Sequence, residues 1–114
     1  MNLKGRIVVL EEDPLIRPLL ERWLGEAGYE VTASMTEVQK PALVVANLPD
    51  PQSAEAFVAS LGQHTVPILL LSARFHSGLD GSVVAARRLG VTRVLPKPFT
   101  RKQLLAAVRA SIKS

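Results

Sequence analysis

Residues 7–17 read IVVLEEDPLIR, and this stretch joins a strand, an acidic turn and a helix start without a linker. The run from Ile7 to Leu10 has the apolar, β-branched composition of a strand buried on both faces. Asp13 is placed to cap a helix, and Pro14 suits its first turn. A buried strand that leads directly into a helix is the first half of a β-α-β unit, so the stretch predicts an α/β fold.

The helix after this turn is predicted from an apolar stripe that ends at Gly28. The apolar residues recur at the three-and-four spacing of one helix face: Leu15, Ile16, Leu19, Leu20, Trp23, Leu24 and Ala27. Pro18 lacks an amide donor, so we expect the helix to start late or to bend there.

The same alternation of short apolar runs and helical periods continues along the chain. Further strands are predicted over residues 30–33, 43–46, 67–71 and 92–95, all apolar enough to be buried, and helices over 53–61, 81–89 and 100–112. The seven residues from 34 to 40 leave room for one helical turn at most. The pattern predicts one domain over residues 1–114, a doubly wound sheet of five parallel strands with helices on both faces.

Length and composition exclude several classes of protein. A chain of 114 residues builds one core without disulfides or a structural metal. The absence of cysteine excludes thiolate chemistry and cysteine-ligated metal sites. The longest apolar run, residues 66–71, is far shorter than the roughly 20 residues of a membrane-spanning helix. We therefore expect a cytoplasmic, soluble chain that does not contact a membrane.

The net charge of +4 conceals a strong asymmetry between the two halves of the chain. Residues 1–57 hold five Lys or Arg and nine Asp or Glu, whereas residues 58–114 hold nine and one. The second half therefore carries a charge of +8. Such an asymmetry informs on binding partners and not on fold.

Polar side chains follow several of the predicted strands at their carboxyl ends. Glu11 and Glu12 follow the first strand, Asn47 the third, Ser72 the fourth and Lys97 the fifth. In open parallel sheets, ligands and reacting groups collect at this edge. The sequence therefore predicts one cleft that contains two acids, an amide, a hydroxyl and a lysine.

These positions resemble the receiver domain of two-component response regulators. The resemblance covers nearly the whole chain and is carried by residues 7–17, by 66–73, and by 90–99, which include Leu95-Pro96-Lys97-Pro98-Phe99. It implies a flavodoxin-like fold with strand order 2-1-3-4-5. It also implies a mechanism in which a carboxylate after the third strand accepts a phosphoryl group from a histidine kinase, with Mg²⁺ held by the acidic pair.

Carried onto this chain, the resemblance gives each position a role and exposes four departures. Glu11 and Glu12 stand at the acidic pair, Ser72 at the hydroxyl position and Lys97 at the lysine position. The acceptor position holds Asn47, an amide that forms no acyl phosphate, and Glu12 is one methylene longer than the usual aspartate. Val94 replaces the aromatic residue that reports phosphorylation. The second helix of the family is shortened or missing.

The departures together predict a receiver-like domain that no longer takes part in phosphotransfer. We expect no enzymatic activity, no cofactor, and weak or absent Mg²⁺ binding. Two alternatives stay open: a displaced phosphoryl acceptor at Asp50 or Ser72, or a cleft that senses a small anion or ligand through Lys97 and Ser72.

The basic half supplies the candidate interface, because arginine suits protein interfaces. We expect a protein partner or a second copy of the chain to dock on the helix predicted over 81–89, the last strand and the last helix. The partners expected from the resemblance include a histidine kinase or a downstream output domain. The sequence disfavours nucleic acid as a partner of this domain alone, since no aromatic residues are interleaved with the basic ones. The interface candidates are Arg87, Arg88, Arg93, Arg101, Lys102 and Arg109.

Overall fold

The computed structural model describes residues 5–33, 41–47, 51–60, 66–72 and 90–113. The elements in these ranges are β1 (Arg6–Leu10), α1 (Ile16–Glu26), β2 (Glu30–Thr32), β3 (Leu43–Asn47), α2 (Pro51–Ser60), β4 (Ile68–Ser72), β5 (Arg93–Pro96) and α3 (Arg101–Lys113). Each agrees with a predicted element to within one or two residues. The segment 34–40 and the helix predicted over 81–89 lie outside the described residues.

The strands form one five-stranded parallel sheet in the order β2-β1-β3-β4-β5. This confirms the predicted fold class and strand order. The first connection runs from β1 through α1 to β2 at one edge, and the chain then returns across β1 to build β3, β4 and β5. The order therefore reverses between β1 and β3, which is where an open α/β sheet places its functional cleft.

Alternate residues of each central strand face opposite sides of the sheet, and each side has its own core. One core lies beneath α1 and α3 and includes Ile7, Val9, Leu20, Leu24, Leu43, Val45, Leu69, Leu71, Leu104 and Val108. The other includes Val8, Val44, Ala46, Ile68, Leu70, Val91 and Val94, with Phe57 and Val58 of α2 packed against it. The two cores confirm helices on both faces and explain why the central strands read as continuous apolar runs.

The two ends of α1 are set by local hydrogen bonds. Oδ1 of Asp13 accepts from the amides of Leu15 and Ile16 at 2.8 and 3.3 Å, so its carboxylate satisfies two donors at the helix start. Regular helix begins at Ile16, which leaves Pro18 in the first turn, where an amide donor has no partner within the helix. The late start that we expected from Pro18 is therefore observed.

Gly28 ends α1 as predicted, and its backbone shows why. Its φ of +101° lies in the left-handed region that favours glycine. The amide of Gly28 donates to the carbonyl of Gly25, and the amide of Tyr29 donates to that of Leu24, both at 3.1 Å. This pair of bonds is a Schellman motif, and the burial of Leu24 and Tyr29 in the same core completes it.

Two expectations about burial were wrong. Leu15 and Leu19 are 79% and 43% exposed, although the spacing placed them on the apolar stripe of α1. The buried face of the helix is narrower than the apolar stripe and centres on Leu20 and Leu24, so Leu15 and Leu19 lie outside it. The strand β2 is exposed or half-buried throughout, because it forms an edge of the sheet.

None of the helices in the described ranges has both the length and the hydropathy that a bilayer-spanning helix needs.

Candidate functional site

The register of the sheet brings the ends of β1, β3, β4 and β5 to one edge. Leu10 is level with Ala46, Ala46 with Leu70, and Leu70 with Val94. The next positions along the chain are therefore neighbours at the carboxyl edge. Glu11 follows β1 there, Asn47 ends β3, and Lys97 follows β5.

Glu11 is the centre of the cleft. Its side chain is only 1% exposed. Oε1 accepts hydrogen bonds from the backbone amide of Asp13 at 3.0 Å and from Nδ2 of Asn47 at 2.9 Å. Oε2 accepts from Nζ of Lys97 at 3.2 Å. One buried carboxylate therefore ties together the ends of three strands.

The orientation of the Asn47 amide follows from the chemistry of its neighbour. A carboxylate accepts hydrogen bonds and donates none, so the NH₂ group of Asn47 is the group that faces Glu11. The bond joins residues 36 apart in the chain. At the position where the resemblance implied a phosphoryl acceptor, the structure has a neutral donor bound to an acid.

Lys97 supplies the counter-charge to Glu11. Its side chain is 16% exposed, so the ion pair is largely shielded from water. Burying a carboxylate costs several kcal/mol unless the charge is paired and hydrogen-bonded, and Lys97 with the two amides meets both conditions. The lysine pairs with Glu11 and not with Glu12.

The turn from β5 into α3 connects Lys97 to the last helix. Phe99 packs against the core beneath α3. The amide of Gln103 donates to Oγ1 of Thr100 at 3.1 Å, and the amide of Thr100 donates to Oε1 of Gln103 at 2.9 Å. This reciprocal pair is a capping box, and its Thr-x-x-Gln signature is visible in the sequence.

The structure separates the two acids of the pair. Glu12 is exposed and makes no hydrogen bond or ion pair with the rest of the described chain. Asp13 contributes instead, since its backbone amide binds Glu11 while its carboxylate caps α1. The sequence places Asp13 at the end of the first strand and predicts its side chain as the helix cap, and only the bend of the chain after β1 reveals the role of its backbone amide.

The other candidates divide into described and undescribed positions. Val94 is buried in the core on the α2 side, so it is a packing residue. Ser72 ends β4, but its side chain is not among those described. Asp50, Arg87 and Arg88 lie outside the described residues.

The side chains that the structure describes in the cleft do not provide the oxygen ligands of a Mg²⁺ site. Mg²⁺ requires oxygen ligands at about 2.1 Å in a near-octahedral arrangement. Both oxygens of Glu11 already accept hydrogen bonds from the chain, and Asn47 presents its donor to the cleft. No group of three or more acidic or histidine side chains that suits a metal occurs among the described residues.

The interface candidates that the structure describes lie on β5 and α3. Arg93, Lys102 and Arg109 are exposed, and none forms an ion pair with a described acid. Arg101 lies 3.8 Å from Glu26 of α1, a half-exposed pair that links the two helices. Residues 90–113 contain no acidic residue at all. We call the exposed residues Arg93, Lys102 and Arg109 the basic face.

The fold and this edge define a class of protein: a flavodoxin-like α/β domain whose strand ends carry an acid, an amide and a lysine. No family model matches the sequence. The response regulator MprA of Mycobacterium sp. strain KMS is 31% identical over 119 residues, which cover 95% of this chain and 50% of MprA. The transcriptional regulatory protein PdtaR of Mycobacterium tuberculosis is 29% identical, over 94% of this chain and 56% of PdtaR. The chain thus spans about half the length of these curated relatives.

Solved structures give the same result. Full-length FixJ from B. japonicum superposes with a TM-score of 0.74 at 25% identity, over 98% of this chain and 59% of FixJ. The N-terminal domain of the nisin resistance regulator NsrR also gives 0.74 at 25% identity, over 96% of this chain and 98% of that domain. The chain is a response regulator receiver domain of the kind found in two-component signalling.

Proposed function

We propose that this cytoplasmic receiver domain acts without phosphorylation, as a protein-interaction module and not as an enzyme. The observation that carries the proposal is Asn47, whose amide stands at the acceptor position and donates to Glu11 at 2.9 Å. An amide has no anionic oxygen to attack phosphorus, so the covalent step lacks its nucleophile. The absence of a Mg²⁺ requirement is part of the same proposal.

The neighbouring positions support this proposal. Lys97, which stands at the family's lysine position, is paired with Glu11 at 3.2 Å. Val94 is a small aliphatic side chain in the core, so no aromatic ring at that position changes rotamer in response to the cleft. The acceptor and the reporter of the family are thus replaced by an amide and a packing residue, while the lysine is engaged by Glu11.

Incubation with acetyl phosphate and Mg²⁺ tests the loss of phosphotransfer. We expect the intact mass to stay unchanged, whereas one phosphoryl group adds about 80 Da. A receiver domain with an aspartate acceptor, treated in parallel, serves as the positive control. A stable adduct that maps to Asp50 or Ser72 would contradict the proposal and establish a displaced acceptor.

The proposed interaction surface is the basic face. Lys102 and Arg109 are seven residues apart in α3, so they lie on one side of the helix, two turns apart. Arg93 shares strand parity with Leu95, which packs into the core beneath α3, so it projects on the α3 side of the sheet. Exposed arginine and lysine without nearby acids favour an acidic protein surface, on a partner or on a second copy.

Charge reversal tests this surface. We expect the pair Lys102→Glu and Arg109→Glu to abolish self-association in sedimentation velocity, or to abolish retention of the protein partner when the domain is immobilised. The wild-type interaction should weaken with added salt. Arg22→Glu on α1, where the side chain is 73% exposed, is the matched control and should leave binding intact. Equal binding by wild type and the double variant would place the interface elsewhere.

A further inference from the structure

Glu11 is a buried charge that the chain neutralises with its own groups. The carboxylate has Lys97 on one oxygen, and Asn47 with the amide of Asp13 on the other. Its side chain is 1% exposed, so water contributes little to its solvation. These donors therefore offset the cost of burying the carboxylate.

The identity of residue 47 decides whether the chain can do this alone. The Asn47 nitrogen lies 2.9 Å from Oε1 of Glu11. A carboxylate in the same place would bring two negative oxygens to the distance at which two buried carboxylates do not both ionise without compensation. One lysine ammonium balances one carboxylate and leaves the second charge unmatched. A bound divalent cation is the ordinary way in which proteins neutralise such a pair.

We infer that Asn47 makes the stability of this cleft independent of divalent cations, and that Asn47→Asp alone makes it dependent on them. The amide of Asn47 and the ammonium of Lys97 together stabilise the carboxylate of Glu11, as a divalent cation does between paired carboxylates. The inference concerns the isolated domain and does not rest on the proposed interaction role. Asn47 is thus a positioning residue for Glu11 in addition to being an absent acceptor.

Thermal unfolding of the full chain tests the inference in three solutions: a chelator, millimolar MgCl₂, and NaCl of matched ionic strength. The wild-type Tm should be the same in all three. Asn47→Asp should lower the Tm by at least about 4 °C in the chelator. MgCl₂ should restore it, with a Tm that rises with concentration, as binding to the folded state requires, whereas NaCl should not.

Matched variants separate charge from the loss of a hydrogen bond. Asn47→Ala removes the amide without adding charge, and it should lower the Tm without any response to MgCl₂. Gln52→Glu makes the same amide-to-acid change at an exposed position of α2. It should alter neither the Tm in the chelator nor the response of the Tm to MgCl₂. The exchange variant Glu11→Gln with Asn47→Asp keeps one acid and one amide beside Lys97, so it should also show no response to MgCl₂.

Four results would overturn the inference. These are a wild-type Tm that rises in MgCl₂ but not in NaCl, an Asn47→Asp variant as stable as wild type in the chelator, an Asn47→Asp variant that MgCl₂ does not restore, and an exchange variant that responds to MgCl₂. If Asn47→Asp is unfolded in the chelator, its refolding on addition of MgCl₂ supports the inference. The mass of the acetyl phosphate product is measured separately, so it distinguishes failure of this inference from failure of the proposed loss of phosphotransfer.

Discussion

Lys97→Met is expected to lower the free energy of unfolding by about 3 to 5 kcal/mol, the range for breaking a buried ion pair by removing one partner. The methionine keeps most of the apolar length of the side chain, so the loss comes mainly from the charge. Glu11 is then buried with only the donors of Asn47 and Asp13. Urea unfolding followed by the fluorescence of Trp23, the sole tryptophan, measures the change.

Lys102→Met is the matched control for this prediction, because it makes the same substitution at an exposed position of α3. It should change the free energy of unfolding by less than about 0.5 kcal/mol. In a double-mutant cycle, adding Glu11→Gln to Lys97→Met should recover part of the loss, since the unpaired charge is then gone. If Lys97→Met lowers the free energy of unfolding by less than about 1 kcal/mol, the pair contributes no more than a surface ion pair does.

The strands of the sheet were predictable because each is marked by a short apolar run in the local sequence. Apolar runs such as those of β1, β3 and β4 are buried on both faces, and they alternate with helical periods along the chain. Strand order 2-1-3-4-5 was not carried by periodicity and came from the resemblance. The exposure of Leu15 and Leu19 was missed because spacing gives the set of residues near one face but not the width of the buried stripe.

The sequence was sufficient to predict which site residues lie at the same edge of the sheet, but not which of them pair. Parallel strands bring their carboxyl ends together, so Glu11, Asn47 and Lys97 were placed in one cleft before any contact was known. The choice of Glu11 over Glu12 as the partner of Lys97 was not predictable, because the two acids are adjacent and the lysine is 86 residues away. That choice depends on how the chain turns after β1, where the amide of Asp13 folds back onto Glu11.

The buried carboxylate also connects the cleft to the basic face. Lys97 is fixed by Glu11, Phe99 packs in the core, and Thr100 with Gln103 caps α3 within the next few residues. The orientation of Lys102 and Arg109 therefore depends on a continuous set of contacts that starts at the end of β1. In the proposed function this arrangement holds the interface in one geometry without a phosphoryl group.

Leu104→Ala is expected to destabilise the domain by about 2 to 5 kcal/mol, the range for removing a fully buried leucine from a core. Leu104 is 0% exposed and lies in the core that α3 shares with β4, including Leu69 and Leu71. The substitution removes apolar contacts and leaves a cavity beneath the helix. Urea unfolding measures the loss of free energy. Hydrogen exchange of the α3 amides should rise if the helix loses its hold on the sheet.

Leu19→Ala supplies the control, because it makes the same change on α1 at a position that is 43% exposed. It should cost less than about 1 kcal/mol, since little apolar area returns to water and alanine favours the helix. Equal losses at the two positions would mean that Leu19 is covered in solution and that α1 carries a contact not seen in the isolated chain. A large loss at Leu104 alone would establish that α3, and with it the basic face, is held to the sheet by this core.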